Sequence, residues 1–387
     1  MRIVEVREAA VPLRGNVANA VVSFAGHTVS LVAVVSDVVR DGRPLVGVAF
    51  NSIGRHAQSG ILRDRMVPRL LAADPDELVG AGDLLDPALV LARMMQGEKP
   101  GGHGDRAAAA SAVELACWDL LAKVRDEPAH VTIARAHDRA PSYDGVPVYA
   151  AGGYYAPGKG VPELRDELAS YRDTGYAAAK IKIGGLTLAE DLARLEAAVE
   201  VMGGGHGVAV DANGRFDRDE ALAYARAMDG LDLRWYEEAG DPLDYDLNRQ
   251  LAEAYSGPIA TGENLFSVQD VRNLLLFGGV RADRDVFQMD AGLSYGLTEY
   301  ERMITLMEEH GIGRAAAYPH GGHLINLHIV TGLGLGGCEA YPGVFEPFGG
   351  YSPGCKLEGG LIHPSEDPGF GLEAKPGLAD EIARLVA

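Results

Sequence analysis

The sequence predicts an α/β protein: a modified (β/α)8 TIM barrel of the (β/α)7β type, behind an N-terminal α+β capping domain. Three observations carry this. From Val146 onward, short apolar strands alternate with helical stretches until eight strands are counted. Such alternation requires a parallel sheet with right-handed crossovers, and eight strands close it into a barrel. Ionisable residues recur with the period of one strand–helix unit: Asp211, Glu237, Glu263 and Asp290 are 26, 26 and 27 residues apart, and His320 follows 30 later. Finally, the chain has 387 residues, more than the ~250 that one barrel uses, so a second domain is expected.

In chain order, residues 1–140 form the expected cap. Arg2-Ile3-Val4-Glu5-Val6 alternates cleanly, and two more β-branched runs near 29–35 and 45–50 flank Asp41-Gly42, a hairpin signal. The pattern turns helical from about 60 to 127. Asp86 reads as an N-cap with Pro87 in the first helical position, for a helix ending at Met95. An alanine-rich helix is expected over 106–124, with Lys99-Pro100-Gly101-Gly102-His103-Gly104 as the break before it. The barrel is expected over 141–354, with strand ends at 150–152, 180–182, 208–211, 234–237, 259–263, 286–290, 316–320 and 337–339. Residues 355–387 are Gly/Pro-rich and then helical from Leu378 to Val386, and are expected to return to the cap.

Composition narrows the function. Hydrophobic residues make up 47% and aromatics 7%, enough for a large globular core, and the formal charge of −20 builds no basic stripe for nucleic acid. The longest apolar stretch, near 29–39, is interrupted by Ser30, Ser36 and Asp37 and is too short to span a bilayer. Glu5 and Glu8 replace the apolar core of a signal peptide. Three widely spaced cysteines, Cys117, Cys338 and Cys355, read as free thiols of a cytoplasmic protein.

The chemistry is read from the strand ends. In Ala179-Lys180-Ile181-Lys182-Ile183-Gly184-Gly185 the two lysines share one face and the two isoleucines the other. An edge strand with solvated lysines is the plainer reading, but its flanks would be polar, and these are Ala and Gly. The lysines are therefore expected in the barrel mouth. Asp211, Glu237 and Glu263 come from consecutive strands. Three converging carboxylates repel one another unless a cation joins them, and an all-oxygen set with open positions suits Mg²⁺ rather than zinc. Asp290 can orient and charge-stabilise His320, and Lys180 is expected to lower the pKa of Lys182 and ready it as a base. Gly332-Leu333-Gly334-Leu335-Gly336-Gly337 precedes a strand and opens no helix, so it is not a dinucleotide loop. His323 and His328 read as packing residues.

Lys180-x-Lys182, Asp211-x-Asn213, Trp235-Tyr236-Glu237-Glu238, Gly262-Glu263-Asn264, Asp290 and His320 together resemble the enolase superfamily in its mandelate-racemase subgroup. The likeness runs over nearly the whole chain, including Cys117-Trp118-Asp119-Leu120-Leu121-Ala122-Lys123. It implies metal-assisted removal of a proton next to a carboxylate, through an enolate intermediate. Asp211, Glu237 and Glu263 would then hold one Mg²⁺ per subunit. Lys182 and His320 would be the acid–base groups, with Asp290 as partner of His320 and Lys180 completing the catalytic set. Lys180, Asn213 and Glu339 would face the substrate, and His56 and Lys99, in cap loops, would read its distal end. The Glu237-Glu238-Ala239-Gly240-Asp241-Pro242 turn lacks the proline that most relatives carry directly after the Glu pair. With the motif order, it resembles the D-tartrate dehydratases most closely. This implies a hydro-lyase that takes a small anionic carboxylate, D-tartrate, to oxaloacetate, in a homo-oligomer without nucleic-acid or membrane partners. A racemase or epimerase of an α-hydroxy acid, or a dehydratase of a longer acid sugar, would use the same residues.

Overall fold

The computed structural model describes residues 1–387. Its cap begins with three antiparallel strands in the order β1 (Ile3–Pro12), β2 (Thr28–Arg40) and β3 (Arg43–Phe50). Asp41 and Gly42 both take positive φ, 52° and 76°, the turn whose twist matches its flanking strands. Helix Asp105–Arg125 lies on this sheet so closely that a Cβ at Gly47 would stand 2.0 Å from the Ala116 carbonyl oxygen. Only glycine allows that approach.

Helix Asp105–Arg125 is buried on every side from Ala107 to Ala122, because it lies between the cap sheet and the barrel. Its two buried acids bind across it. Glu114 accepts from the backbone N–H groups of Leu297 (2.9 Å) and Thr298 (3.0 Å), at the start of barrel helix Leu297–Glu309. A carboxylate there meets unpaired donors and the positive end of the helix dipole. Asp119 accepts from Val48 in β3 (2.8 Å) and from Phe370 (2.7 Å). One helix thus ties cap sheet, barrel and C-terminal segment together. Helix Pro87–Met94 begins as expected, with Asp86 accepting from Ala88 at 2.8 Å.

The barrel is a parallel succession of β4 (Val146–Gly152), β5 (Ala179–Lys182), β6 (Val208–Asp211), β7 (Trp235–Glu237), β8 (Ile259–Thr261) and β9 (Val286–Phe287). β10 (Cys338–Ala340) pairs back on β4 and closes it. Seven helices alternate with these strands, and Thr187, Asp217, Asp244 and Ser267 cap four of them through their side chains. The lower interior is filled by Tyr149, Ala178, Ala209, Trp235 and Ala260. Ile181 and Ile183 instead join the larger core.

The seventh strand expected over 316–320 is reduced to a bridge between Phe287 and Ala317. Backbone bonds from Tyr318 to Phe287 (2.8 Å), His320 to Gln288 (3.2 Å) and Gly336 to Ala317 (3.0 Å) keep it in the wall. Pro319 has no N–H to donate, so a regular ladder cannot form. Strands five and six also stop early, which leaves Glu263 and Asp290 in the turns beyond β8 and β9.

The C-terminal segment divides. Helix Leu378–Val386 lies against β1, with Arg7 donating to the Leu385 carbonyl at 3.2 Å. Residues 356–363, which the sequence places on the cap, instead form a hairpin on the barrel. β11 (Lys356–Glu358) and β12 (Leu361–His363) turn at Gly359-Gly360, and β12 pairs antiparallel with the start of β4 through Val146 and Pro147. That end of β4 lies outside its pairing with β5 and β10, so its edge is free to be covered. No helix is long and apolar enough to cross a membrane, and all three thiols are free.

Candidate active site

The barrel mouth holds the three carboxylates that the spacing predicts. Asp211 and Glu237 end β6 and β7 and stand opposite each other in the ladder. Glu263 follows Gly262, whose φ is +136° and whose Cβ would stand 2.7 Å from the Met289 nitrogen. Glycine is therefore required to turn the chain and bring Glu263 over the mouth. The three offer ligand oxygens that all lie within 4.8 Å of one another. Glu237 is aimed by three donors: Lys180 Nζ at 2.6 Å, and Trp235 Nε1 and Gln288 Nε2 at 2.8 Å each.

The donor set fits a hard divalent cation. Burial, with the negative charge of Asp211 beside it, pushes Glu237 up to about 8. A bound dication removes that penalty, and oxygen-only ligation selects the magnesium class. Glu237→Gln should therefore keep the fold while weakening Mg²⁺ binding and activity together, since a neutral amide is a poor ligand for a hard ion. Calorimetric titration with Mg²⁺ checks this, and unchanged affinity would remove Glu237 from the site.

The two lysines point into the mouth, but not as a mutually repelling pair. Lys180 Nζ lies 2.6 Å from Glu237, 2.9 Å from Glu339 and 3.6 Å from Asp211. Burial works against its charge, yet Glu237 and Glu339 overcome it and hold Lys180 well above the usual lysine range. Its charge is thus met by three carboxylates, which the sequence reading of two neighbouring lysines did not include. Lys182 Nζ rests on Asp211 Oδ2 at 2.5 Å and over the Tyr154 ring, 5.2 Å from its centroid. On Asp211, burial is outweighed by Lys182 and Lys180, which bring it to about 2.

His320 enters from the seventh unit. Its Nδ1 meets Asp290 Oδ2 at 3.1 Å and its Nε2 meets the Tyr341 hydroxyl at 3.2 Å. Burial lowers the affinity of the ring for a proton, but the charge of Glu263 and the bond to Asp290 prevail and raise it to about 9. Asp290 is fully buried and also accepts from Gly292 N at 2.8 Å and Asn326 Nδ2 at 3.3 Å, so its position is fixed. His323, the neighbouring packing residue, bonds Ser52 of the cap at 3.0 Å.

Asn213, in the left-handed region at φ 49°, lines the cavity with Lys180, Lys182, Glu263, His320 and Glu339. Its buried Oδ1 has no partner and is available to a ligand. Glu339 is anchored by Lys180 and by Gly321 N at 2.8 Å. The structure does not bring His56 or Lys99 here. His56 stacks on His27 at 3.9 Å, and Lys99 lines a separate cavity with Met95, His103 and Arg106. The cap instead reaches the site through Asn19, Phe24, Ile53 and Gly54. Arg55, donating to Asn264 at 2.9 Å, latches it to the turn that carries Glu263. Tyr341 and Gln288 also escape the sequence reading, as does the bond that Trp235 donates to Glu237. Glu339-x-Tyr341 at a strand end was the available signal for the first of them, because residues two apart share a face.

Fold and site together define a capped barrel built to bind a divalent cation beside proton-carrying side chains. Residues 163–378, more than half the chain, match the family model described as enolase C-terminal domain-like. The chain belongs to the enolase superfamily, in its mandelate-racemase subgroup. It is 29% identical over 301 residues to L-talarate/galactarate dehydratase of Salmonella typhimurium, covering 77% of this chain and 70% of that one. It is 31% identical over 236 residues to arabinonate dehydratase of Saccharolobus solfataricus, covering 60% of each. The crystal structure of the Salmonella enzyme with Mg and L-lyxarohydroxamate superposes with a TM-score of 0.74 at 24% identity, over 97% of this chain and 90% of that one.

Proposed function

We propose that this protein is a magnesium-dependent dehydratase of a short hydroxy-diacid, D-tartrate, which it converts to oxaloacetate. The observation that carries the reading is one small cavity, of about 30 Å³, faced by both Lys182 and His320 beside the carboxylate cluster. One water needs roughly 10–15 Å³ by the same measure, and the walls are the aromatic rings of Phe24, Tyr154, Tyr341 and Phe345. Such a cavity, small and walled by rings, is in keeping with a short substrate. The dehydratases among the relatives support loss of water, and their acid-sugar substrates support an anionic carboxylate ligand. The lysines and His320 supply positive charge locally in a chain of net charge −20.

Asp211, Glu237 and Glu263 would hold the ion, which would supply Lewis-acid stabilisation for negative charge on the substrate carboxylate. Lys182 takes the proton from the carbon next to that carboxylate. His320 is the source of the proton that leaves with the β-hydroxyl, and Asp290 holds the ring and balances its charge. The partnerless Oδ1 of Asn213 accepts from a substrate hydroxyl. The product enol becomes a 2-keto acid.

Incubating the protein with Mg²⁺ and a panel of hydroxy-diacids and acid sugars, with 2-keto acid as the readout, tests this. D-tartrate should give oxaloacetate, and a chelator should stop it. Preference for a six-carbon diacid would overturn the short substrate. Interconversion of stereoisomers with no keto acid from any substrate would establish the racemase alternative.

A further inference from the structure

We propose that Tyr341 is a catalytic residue, the hydroxyl through which the proton of His320 reaches the departing β-hydroxyl. This inference rests on the dehydratase reading and adds to it a group that touches the substrate. Both ring nitrogens of His320 are engaged. Nδ1 is bound to Asp290, which is fully buried, and Nε2 to the Tyr341 hydroxyl at 3.2 Å. A proton held for delivery is therefore on the nitrogen that faces Tyr341.

Tyr341 cannot simply swing aside. It is only 2% exposed. Phe345 packs edge-on against its ring at 4.7 Å between centroids. Gly349 lies so close behind it that a Cβ there would stand 3.1 Å from Tyr341 Cβ. Yet Tyr341 lines the same cavity as Lys182, Asn213 and Glu263. The phenol thus stands beside the imidazole on the wall of the space where a substrate must lie, with its hydroxyl on the ring nitrogen that would deliver the proton. A phenolic oxygen can donate one proton while accepting another, as a relay requires. Burial, with Glu339 nearby, keeps the phenol protonated at rest.

The step balances. Lys182 takes the α-proton, and the C–H electron pair becomes the carbon–carbon double bond. The β-carbon–oxygen bond breaks, and its electron pair leaves with oxygen. That oxygen takes the Tyr341 proton and departs as water. Tyr341 oxygen takes the proton from Nε2 of the imidazolium, leaving neutral His320. Solvent later removes the proton from Lys182 and returns one to His320, so no oxidant or reductant is needed.

The test uses Tyr341→Phe in the full-length Mg²⁺-loaded enzyme, with two substrates. One is D-tartrate, or whichever hydroxy acid gives most keto acid with the parent. The other is its analogue with fluorine in place of the β-hydroxyl, which leaves as fluoride and needs no proton. The variant should lose water elimination by ~10²–10⁴-fold, the range of general acid catalysis, while fluoride release stays within about threefold of the parent. Water elimination at the parental rate would show that His320 protonates the hydroxyl without Tyr341. Loss of both eliminations would show that Tyr341 only maintains the site. A parent that forms keto acid from no hydroxy acid overturns the dehydratase reading itself, and the relay with it.

Discussion

Lys182→Ala should abolish exchange of the substrate α-hydrogen with solvent deuterium and reduce turnover by ~10²–10⁴-fold, the usual worth of a general base. Proton removal precedes everything else in the proposed reaction, so both readouts must fall together. The strand tolerates the change: its backbone pairing with Asp211 is independent of the side chain, and Lys182 faces the cavity rather than the core. Magnesium affinity separates this effect from damage to the metal site. Without the ammonium on Oδ2, Asp211 becomes more available to a cation, so Mg²⁺ should bind at least as well as to the parent. A loss of turnover below about tenfold would mean that another group takes the proton, because the general-base contribution starts near a hundredfold. Nuclear magnetic resonance of the α-proton in deuterium oxide measures the exchange directly.

Much of the site could be read from the chain because its chemistry repeats at the period of its architecture. Asp211 and Glu237 end their strands, so strand periodicity alone places them. Glu263, Asp290 and His320 lie beyond strand ends, yet each strand–helix unit is nearly constant in length. The spacing therefore still brings them to the same mouth. What local pattern could not carry is how deeply each group is compensated. Two lysines on one face read as repelling neighbours, whereas Glu339, 159 residues after Lys180 in the chain, supplies one of the charges that hold Lys180. The cap was harder still. Its strands and helices are legible from alternation and capping residues. Which loop reaches the mouth depends on the docking of helix Asp105–Arg125 through Glu114 and Asp119, a long-range fit. His56 and Lys99 had suitable chemistry in glycine-rich loops, but docking presents Asn19, Phe24, Ile53 and Gly54 instead. Gln288 and Trp235 resembled ordinary strand residues, and their donors become informative only once Glu237 is seen to need them.

His320→Asn should separate the two halves of the reaction. Lys182 and the three carboxylates remain, so the α-proton should still be removed. The source of the proton for the leaving hydroxyl is gone, so keto acid should fall by ~10²–10⁴-fold. Lys182 then returns the proton on the face from which it took it. The expected product is recovered substrate carrying α-deuterium with its configuration retained. Asp290→Asn should give a milder version, because the imidazole keeps its bond to Tyr341 but loses the charge that favours its protonated form. Its rate loss should be greatest at high pH: a ring with lowered affinity gives up its proton at a lower pH than the parent, and the alkaline limb of catalysis moves down with it. Two outcomes would break the assignment. Full dehydration by His320→Asn would place the acid elsewhere. Loss of α-exchange in that variant, with Mg²⁺ affinity intact, would mean that His320 rather than Lys182 takes the proton, and the roles of the two faces would have to be exchanged.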